Sequence, residues 1–140
     1  MSQENVERTR RAVDAFNRGD LDAVRALVDE GVEVISRLAP IGVSGYHGHD
    51  GFLRWRQNLH EVFPDWHGEP LEVRDFGDFT MAAVHVRGHG GESGAPVDQV
   101  TWMVGEWRSG KLVRISSHAT AAEALEAVGL SEQDVHGGPS

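Results

Sequence analysis

The sequence predicts an α+β fold, and three observations carry that prediction. Helical periodicity occupies the first part of the chain, alternating periodicity fills most of the remainder, and the two are segregated rather than interleaved. The length of 140 residues suits one domain with one core, expected over residues 1–130, followed by a polar, Gly- and Pro-containing tail, 131–140, expected to be flexible.

The elements follow in order. Val6, Ala12, Val13 and Phe16 share one face of a first helix. Gly19 stops it as a left-handed cap, and Asp20 is a suitable N-cap for a second helix, whose stripe is Leu21, Val24, Leu27 and Val28, closed by Gly31. Val32 to Arg37 has strand composition, and Leu38 to His49, with a proline and three glycines, reads as a loop. A third helix from about Asp50 to Phe63 presents Phe52, Trp55, Leu59, Val62 and Phe63 on one side, and Pro64 ends it. Four strands follow, over Leu71–Phe76, Phe79–Gly88, Val97–Arg108 and Lys111–Ser117, then a short helix over Ala121–Val128 ending at Gly129. A long antiparallel or mixed sheet with three helices on one face must curl around them, leaving a cone with an open end.

The register of the last hairpin stays open at this stage. A three-residue loop, Arg108-Ser109-Gly110, pairs Trp107 with Lys111 and Met103 with Ile115; a two-residue turn, Ser109-Gly110, sets Val104 beside Ile115 instead.

Composition excludes several functions. Twenty-two acidic residues against 13 basic ones give a net charge of −9, opposite to what a phosphate-backbone binder needs. Adding eight positive charges by protonating every histidine leaves −1, so the field of the protein would largely collapse under mild acid. Zero cysteine excludes disulfides, thiol catalysis and thiolate metal sites. No apolar run has the length of a membrane span and the polar start is unlike a signal peptide, so a cytoplasmic protein is expected, without nucleic-acid or membrane partners.

Three stretches carry a family resemblance. Ala15-Phe-Asn-Arg-Gly-Asp-Leu-Asp-Ala-Val24, Gly45-Tyr-His-Gly-His-Asp-Gly51, and Arg108-Ser-Gly-Lys-Leu-Val-Arg-Ile115 with Ala122 to Leu130 resemble the SnoaL-like members of the nuclear-transport-factor-like superfamily, the α+β cone shared with ketosteroid isomerase. The resemblance implies a homodimer and a pocket between the helices and the concave sheet face. The residues agree about the pocket: Phe16, Val34, Phe52, Trp55, Leu59 and Phe63 converge on that space, and Ser36, Gln99, Thr101 and Ser117 supply isolated polar groups. Met103 and Ile115 complete the inward set, and Tyr46 is placed at the rim.

Ketosteroid isomerase uses a carboxylate base with a tyrosine and a neutral carboxylic acid. Laid onto this chain, those positions fall at Ser36, Ala12 and Met103, none of which has the needed group. The expected function is therefore binding of a small, mostly apolar molecule, with no assignable catalytic residue and no cofactor. The alternatives are a cyclase- or isomerase-like proton-transfer enzyme using Asp98, Tyr46 or a histidine, and a dimeric interaction module. His47-Gly48-His49-Asp50 has a metal-like spacing but reads as a polar loop with Asp50 capping the third helix, so no metal is assigned. The dimer is expected through the convex sheet face, at Val100, Trp102 and His118.

Overall fold

In the computed structural model, residues 2–36 and 44–129 are described. The elements run α1 (Ser2–Arg18), α2 (Leu21–Leu27), β1 (Val28–Ser36), β2 (Ser44–His47), α3 (Gly48–Val62), β3 (His67–Phe76), β4 (Phe79–His89), β5 (Pro96–Arg108), β6 (Lys111–His118) and α4 (Ala121–Ala127). The strands form one curved six-stranded sheet in the order β2-β1-β6-β5-β4-β3. Every neighbouring pair is antiparallel except β1 and β6, which run parallel. This is the expected α+β class with a mixed sheet.

α1 packs along β3 and α3 along β1, with α2 bridging between them. The α1–α2 joint forms as its residues predict. Gly19 takes φ 65°, a conformation in which a side chain would be strained, and Asp20 accepts from the Ala23 N–H at 3.1 Å. α4 lies against β5 and β6, where Ala124 and Leu125 bury with Met81 and Val104 and pack against Trp102.

Three expectations are corrected. α2 stops at Leu27, and Val28 opens β1 opposite Leu112 in β6, so Gly31 lies inside a strand rather than closing a helix. An apolar stripe cannot separate the last residue of a helix from the first of a strand, and Val28 suits both. β2 pairs with β1 from Glu33↔His47 to Ser36↔Ser44 within the stretch read as loop. Its pairing uses backbone groups, and a Ser-Gly-Tyr-His strand has no alternating apolar signal. Position N-cap of α3 is His47, without a side-chain cap; Asp50 stands in the first turn, where it meets the positive end of the helix dipole. Arg37, the expected end of the first strand, the rest of the expected loop, residues 38–43, and the expected tail, residues 131–140, lie outside the described residues.

The last hairpin follows neither register alone. Ser109 and Gly110, at φ 53° and 79°, make a two-residue turn, so Arg108 pairs with Lys111 and Trp107 with Leu112. A bulge at Val113 then shifts the ladder by one residue, which sets Gly105 opposite Ile115 and Met103 opposite Ser117. The bulge restores the faces that a three-residue loop would have given: Thr101, Met103, Ile115 and Ser117 all face the helices.

The cap yields a prediction with a defined pH dependence. The Ala23 N–H and then the Arg18 guanidinium hold the Asp20 carboxyl below its ordinary range. A depressed folded value means the cap stabilises fully above the ordinary Asp pKa of about 3.9 and fades as pH falls through the lower folded value. Thermal melts of Asp20→Ala should lie below wild type at neutral pH and converge with it in strong acid. Asp20→Asn, which keeps an accepting oxygen, should stay near wild type throughout.

Candidate functional site: a cavity inside the cone

The cavity wall is built from two periodicities. Thr9, Ala12, Val13 and Phe16 come from one face of α1, and Phe52, Trp55 and Leu59 from one face of α3. The alternating residues Thr80, Ala82, Val84 and Val86 of β4 face them, as do Thr101, Met103, Gly105 and Trp107 of β5. Leu112, Ile115 and Ser117 of β6, Ser36 of β1, and Trp66 from the link between α3 and β3 close the space. The free volume is about 70 Å³. Phe16 stands at the centre of an aromatic cluster, with ring centroids 4.6 Å from Trp55, 5.2 Å from Trp66 and 5.6 Å from Phe52.

Of the residues expected at the pocket, Phe16, Ser36, Phe52, Trp55, Leu59, Thr101, Met103, Ile115 and Ser117 stand in this wall. Val34 is buried in the core cluster that includes Phe52, Trp55 and Leu59 of α3 but does not line the cavity. Tyr46 receives a hydrogen bond on its hydroxyl from Asn58 Nδ2 at 2.8 Å. Phe63 is buried beside a separate surface hollow formed with the β4–β5 turn, and Gln99 is exposed on β5. Ala12, Ser36 and Met103, the three positions singled out by the resemblance, border the same cavity.

Sequence reasoning missed much of the β4 wall and Trp66. The Thr80-Ala82-Val84-Val86 alternation was available as a period-two signal. Trp66 had none, because it sits in a link between elements, where its backbone N–H donates to Phe63 O at 2.9 Å.

The polar groups of the wall divide into satisfied and unsatisfied. Trp107 Nε1 donates to Thr80 Oγ1 at 2.9 Å, the Thr80 and Thr9 hydroxyls lie 3.0 Å apart, and Thr9 Oγ1 donates to Asn5 O at 2.8 Å. Since Thr9 gives its one proton to Asn5, the Thr80 proton goes to Thr9, and a single directed chain runs from indole to helix carbonyl. Gly105 is pressed against this chain: a methyl there would lie 2.9 Å from Leu112 Cδ1 and 3.2 Å from Thr80 Oγ1. By contrast, the buried Nε1 atoms of Trp55 and Trp66 have no hydrogen-bond partner.

Ionisable groups lie elsewhere. No Asp, Glu, His, Lys, Arg or Tyr is among the described residues of the wall. Asp98 pairs with His85 at 2.6 Å on the outer face of the sheet. Asp65 accepts from the His89 backbone N–H at 2.7 Å and contacts its ring at 2.9 Å; these two contacts, the ring first, hold the Asp65 carboxyl below its ordinary range. His49 meets Val28 O at 2.6 Å, His60 meets Arg56 O at 2.9 Å, and His118 meets Ser116 Oγ at 2.8 Å. Among the described residues no three His, Asp or Glu side chains come together as a metal site, and no helix is long and apolar enough to cross a membrane.

Comparison with known proteins agrees with this architecture. Residues 9–115 match the family described as a SnoaL-like domain. No curated protein matches the chain. A candidate SnoaL-like polyketide cyclase from a Jannaschia species is similar in structure at 19% identity, with 84% of this chain and 86% of that chain covered and a TM-score of 0.73. An NTF2-like protein of unknown function from Burkholderia pseudomallei is 22% identical over 92% of this chain and 99% of its own, with a TM-score of 0.72. A hypothetical protein with a ketosteroid isomerase-like fold from Catenulispora acidiphila, solved in complex with trimethylamine, is 14% identical over 89% and 93% of the two chains, with a TM-score of 0.70. Identities this low speak for the fold alone.

The hydroxyl chain is testable without a ligand. Thr80→Val keeps the shape but strands the Trp107 indole N–H, so chemical denaturation should show a loss of roughly 1–3 kcal/mol. Thr80→Ser, which retains the hydroxyl, should recover most of it. Equal stability of Thr80→Val and wild type would mean the chain contributes nothing.

Proposed function

The chain belongs to the SnoaL-like domain family, and on that premise we propose that it binds a small, uncharged, mostly apolar molecule in the cone cavity. One observation carries this reading: among the described residues the wall combines aromatic and aliphatic side chains with a few hydroxyls and indoles, and has no ionisable group. A buried charge without a partner is strongly disfavoured, so such a wall selects against carboxylates and ammonium groups. Asp98 and Tyr46, the groups expected to serve a proton-transfer enzyme, have partners outside the wall, in His85 and Asn58.

Intrinsic fluorescence reports directly on this site, since Trp55, Trp66 and Trp107 border the cavity. Methylcyclohexane and cyclohexanone should perturb the emission saturably, whereas cyclohexanecarboxylate should not. Affinity for the neutral probes should vary by less than about twofold between roughly pH 5.5 and 8.5, because no wall group titrates there. Ala82→Leu or Ser117→Leu, each filling the cavity from a different strand, should abolish the response. Undiminished binding to both filled variants would sink the reading.

The same proposal includes a homodimer through the convex face. Val100 is 40% exposed there, an unusual state for a valine in the middle of a sheet, and Trp102 beside it is partly buried against the α4 cluster. His118, also expected at this interface, is the cross-strand neighbour of Trp102 and is buried within the single chain, so it offers this face little surface. Light scattering should give a dimer mass for wild type and a monomer mass for Val100→Arg, with unchanged circular dichroism. A monomeric wild type would refute this interface.

A further inference from the structure

Two indole N–H groups in the cavity wall lack any acceptor. Trp55 is 6% exposed, and its Nε1 and that of Trp66 are both buried without a hydrogen-bond partner. Buried donors are nearly always paired, so each unpaired one calls for a physical reason. Neighbouring geometry shows that the fold can satisfy an indole in this wall, since Trp107 has Thr80 as its acceptor at 2.9 Å. For Trp55 and Trp66 the surroundings are aromatic instead: Phe16 lies between them, Phe52 flanks Trp55 at 5.7 Å, and the His60 ring flanks Trp66 at 5.9 Å. Ring faces and edges offer little to an N–H compared with an oxygen lone pair.

The second observation is the size of the space. About 70 Å³ is far below the ~300–1,000 Å³ common for small-molecule pockets. An occupant of ordinary ligand size therefore fits only if side chains of the wall shift, and Trp55 and Trp66, whose N–H groups are unpaired, belong to that wall.

We infer that the occupant carries a hydrogen-bond acceptor, a ketone, aldehyde, ester or ether oxygen on an apolar skeleton, and delivers it to the Trp55 and Trp66 indoles as those rings turn to admit it. This rests on the cavity being the binding site, and it narrows the ligand class. A hydrocarbon would leave both N–H groups unpaired. An ammonium group would bring a further donor to a wall already in excess of donors, with no carboxylate to balance its charge. A carboxylate would accept the hydrogen bonds but meet no cation among the described wall residues. The neutral acceptor alone satisfies the indoles without stranding a charge. The serine and threonine hydroxyls across the cavity, Ser36 and Thr101, can then serve a second polar group of either sense.

The test compares three probes on one skeleton: cyclohexanone, methylcyclohexane and cyclohexylamine. Wild-type protein is titrated while the indole N–H resonances of its four tryptophans are followed by heteronuclear NMR. Two ordinary hydrogen bonds should make the ketone bind about tenfold tighter than the hydrocarbon. The Trp55 and Trp66 signals should move downfield with the ketone, while that of Trp102, outside the cavity, stays in place. Trp55→Phe and Trp66→Phe should each reduce the ketone-to-hydrocarbon ratio, a quantity insensitive to any general loosening of the fold. Equal affinity for ketone and hydrocarbon overturns the acceptor inference and leaves the apolar cavity reading intact. Preference for the amine overturns it in favour of an aromatic cation site. If none of the three shifts any wall resonance, both readings fall together.

Discussion

The corner where α1 ends holds the cavity in shape. The last carbonyls of a helix have no partner within it, and here Arg56 of α3 supplies two: its Nε donates to Phe16 O at 2.5 Å and its Nη2 to Asn17 O at 3.0 Å. The Asn17 side chain then acts as a short strand, donating to Gly68 O at 2.7 Å and accepting from Gly68 N at 3.1 Å. One junction thereby ties α1 to α3 and to β3. The tight joint at Gly19 belongs to it, because a methyl on that residue would lie 2.8 Å from the Arg56 guanidinium carbon. Phe16, immediately before the junction, is fixed among Phe52, Trp55 and Trp66 as a result, and those rings set the width of the cavity.

Little of that junction was legible in advance, although its product was. Arg56 and Asn17 look in the sequence like polar residues on the outer faces of two helices, and nothing local announces that one caps the other across 39 residues. The apolar partners are another matter, since burial follows period and each of Phe16, Phe52, Trp55 and Leu59 sits on the stripe of its own helix. The same contrast recurs in the sheet. Strand faces could be read from alternation, whereas the bulge at Val113 and the pairing of β2 depend on backbone geometry that side-chain types do not encode. Two independent departures in the last hairpin, its shorter turn and its extra residue, compensate each other, which is why Thr101, Met103, Ile115 and Ser117 still face inward.

Charge is partitioned as strictly as hydrophobicity. Among the described residues, aspartates meet histidines outside the cavity at His85–Asp98 and His89–Asp65, and a helical arginine meets a carboxylate at Arg18–Asp14. Inside the cone, polarity takes the form of hydroxyls and indoles. An interior of this kind discriminates by hydrogen-bond complementarity and shape rather than by charge, and its selectivity should be indifferent to ionic strength. Among the described histidines, His85 and His89 pair with aspartates, His49 and His60 meet backbone carbonyls, the buried His118 meets the Ser116 hydroxyl, and no metal cluster forms.

The parallel pairing of β1 with β6 has a consequence for how the molecule is made. Residues 28–36 find their second partner strand only in residues 111–118, so the first strand to leave the ribosome waits for the last. Until then β1 has β2 on one side and an open edge on the other, while β3, β4 and β5 can zip together through short turns. Pairings this distant in sequence are closed late and slowly, since their loop entropy is lost before any contact rewards it. Helices α1 and α3 meanwhile lack the curved floor that buries their aromatic rings. The interior is therefore created in one late step, and during synthesis an unpaired, valine-rich edge is exposed for longer than any other part of the sheet.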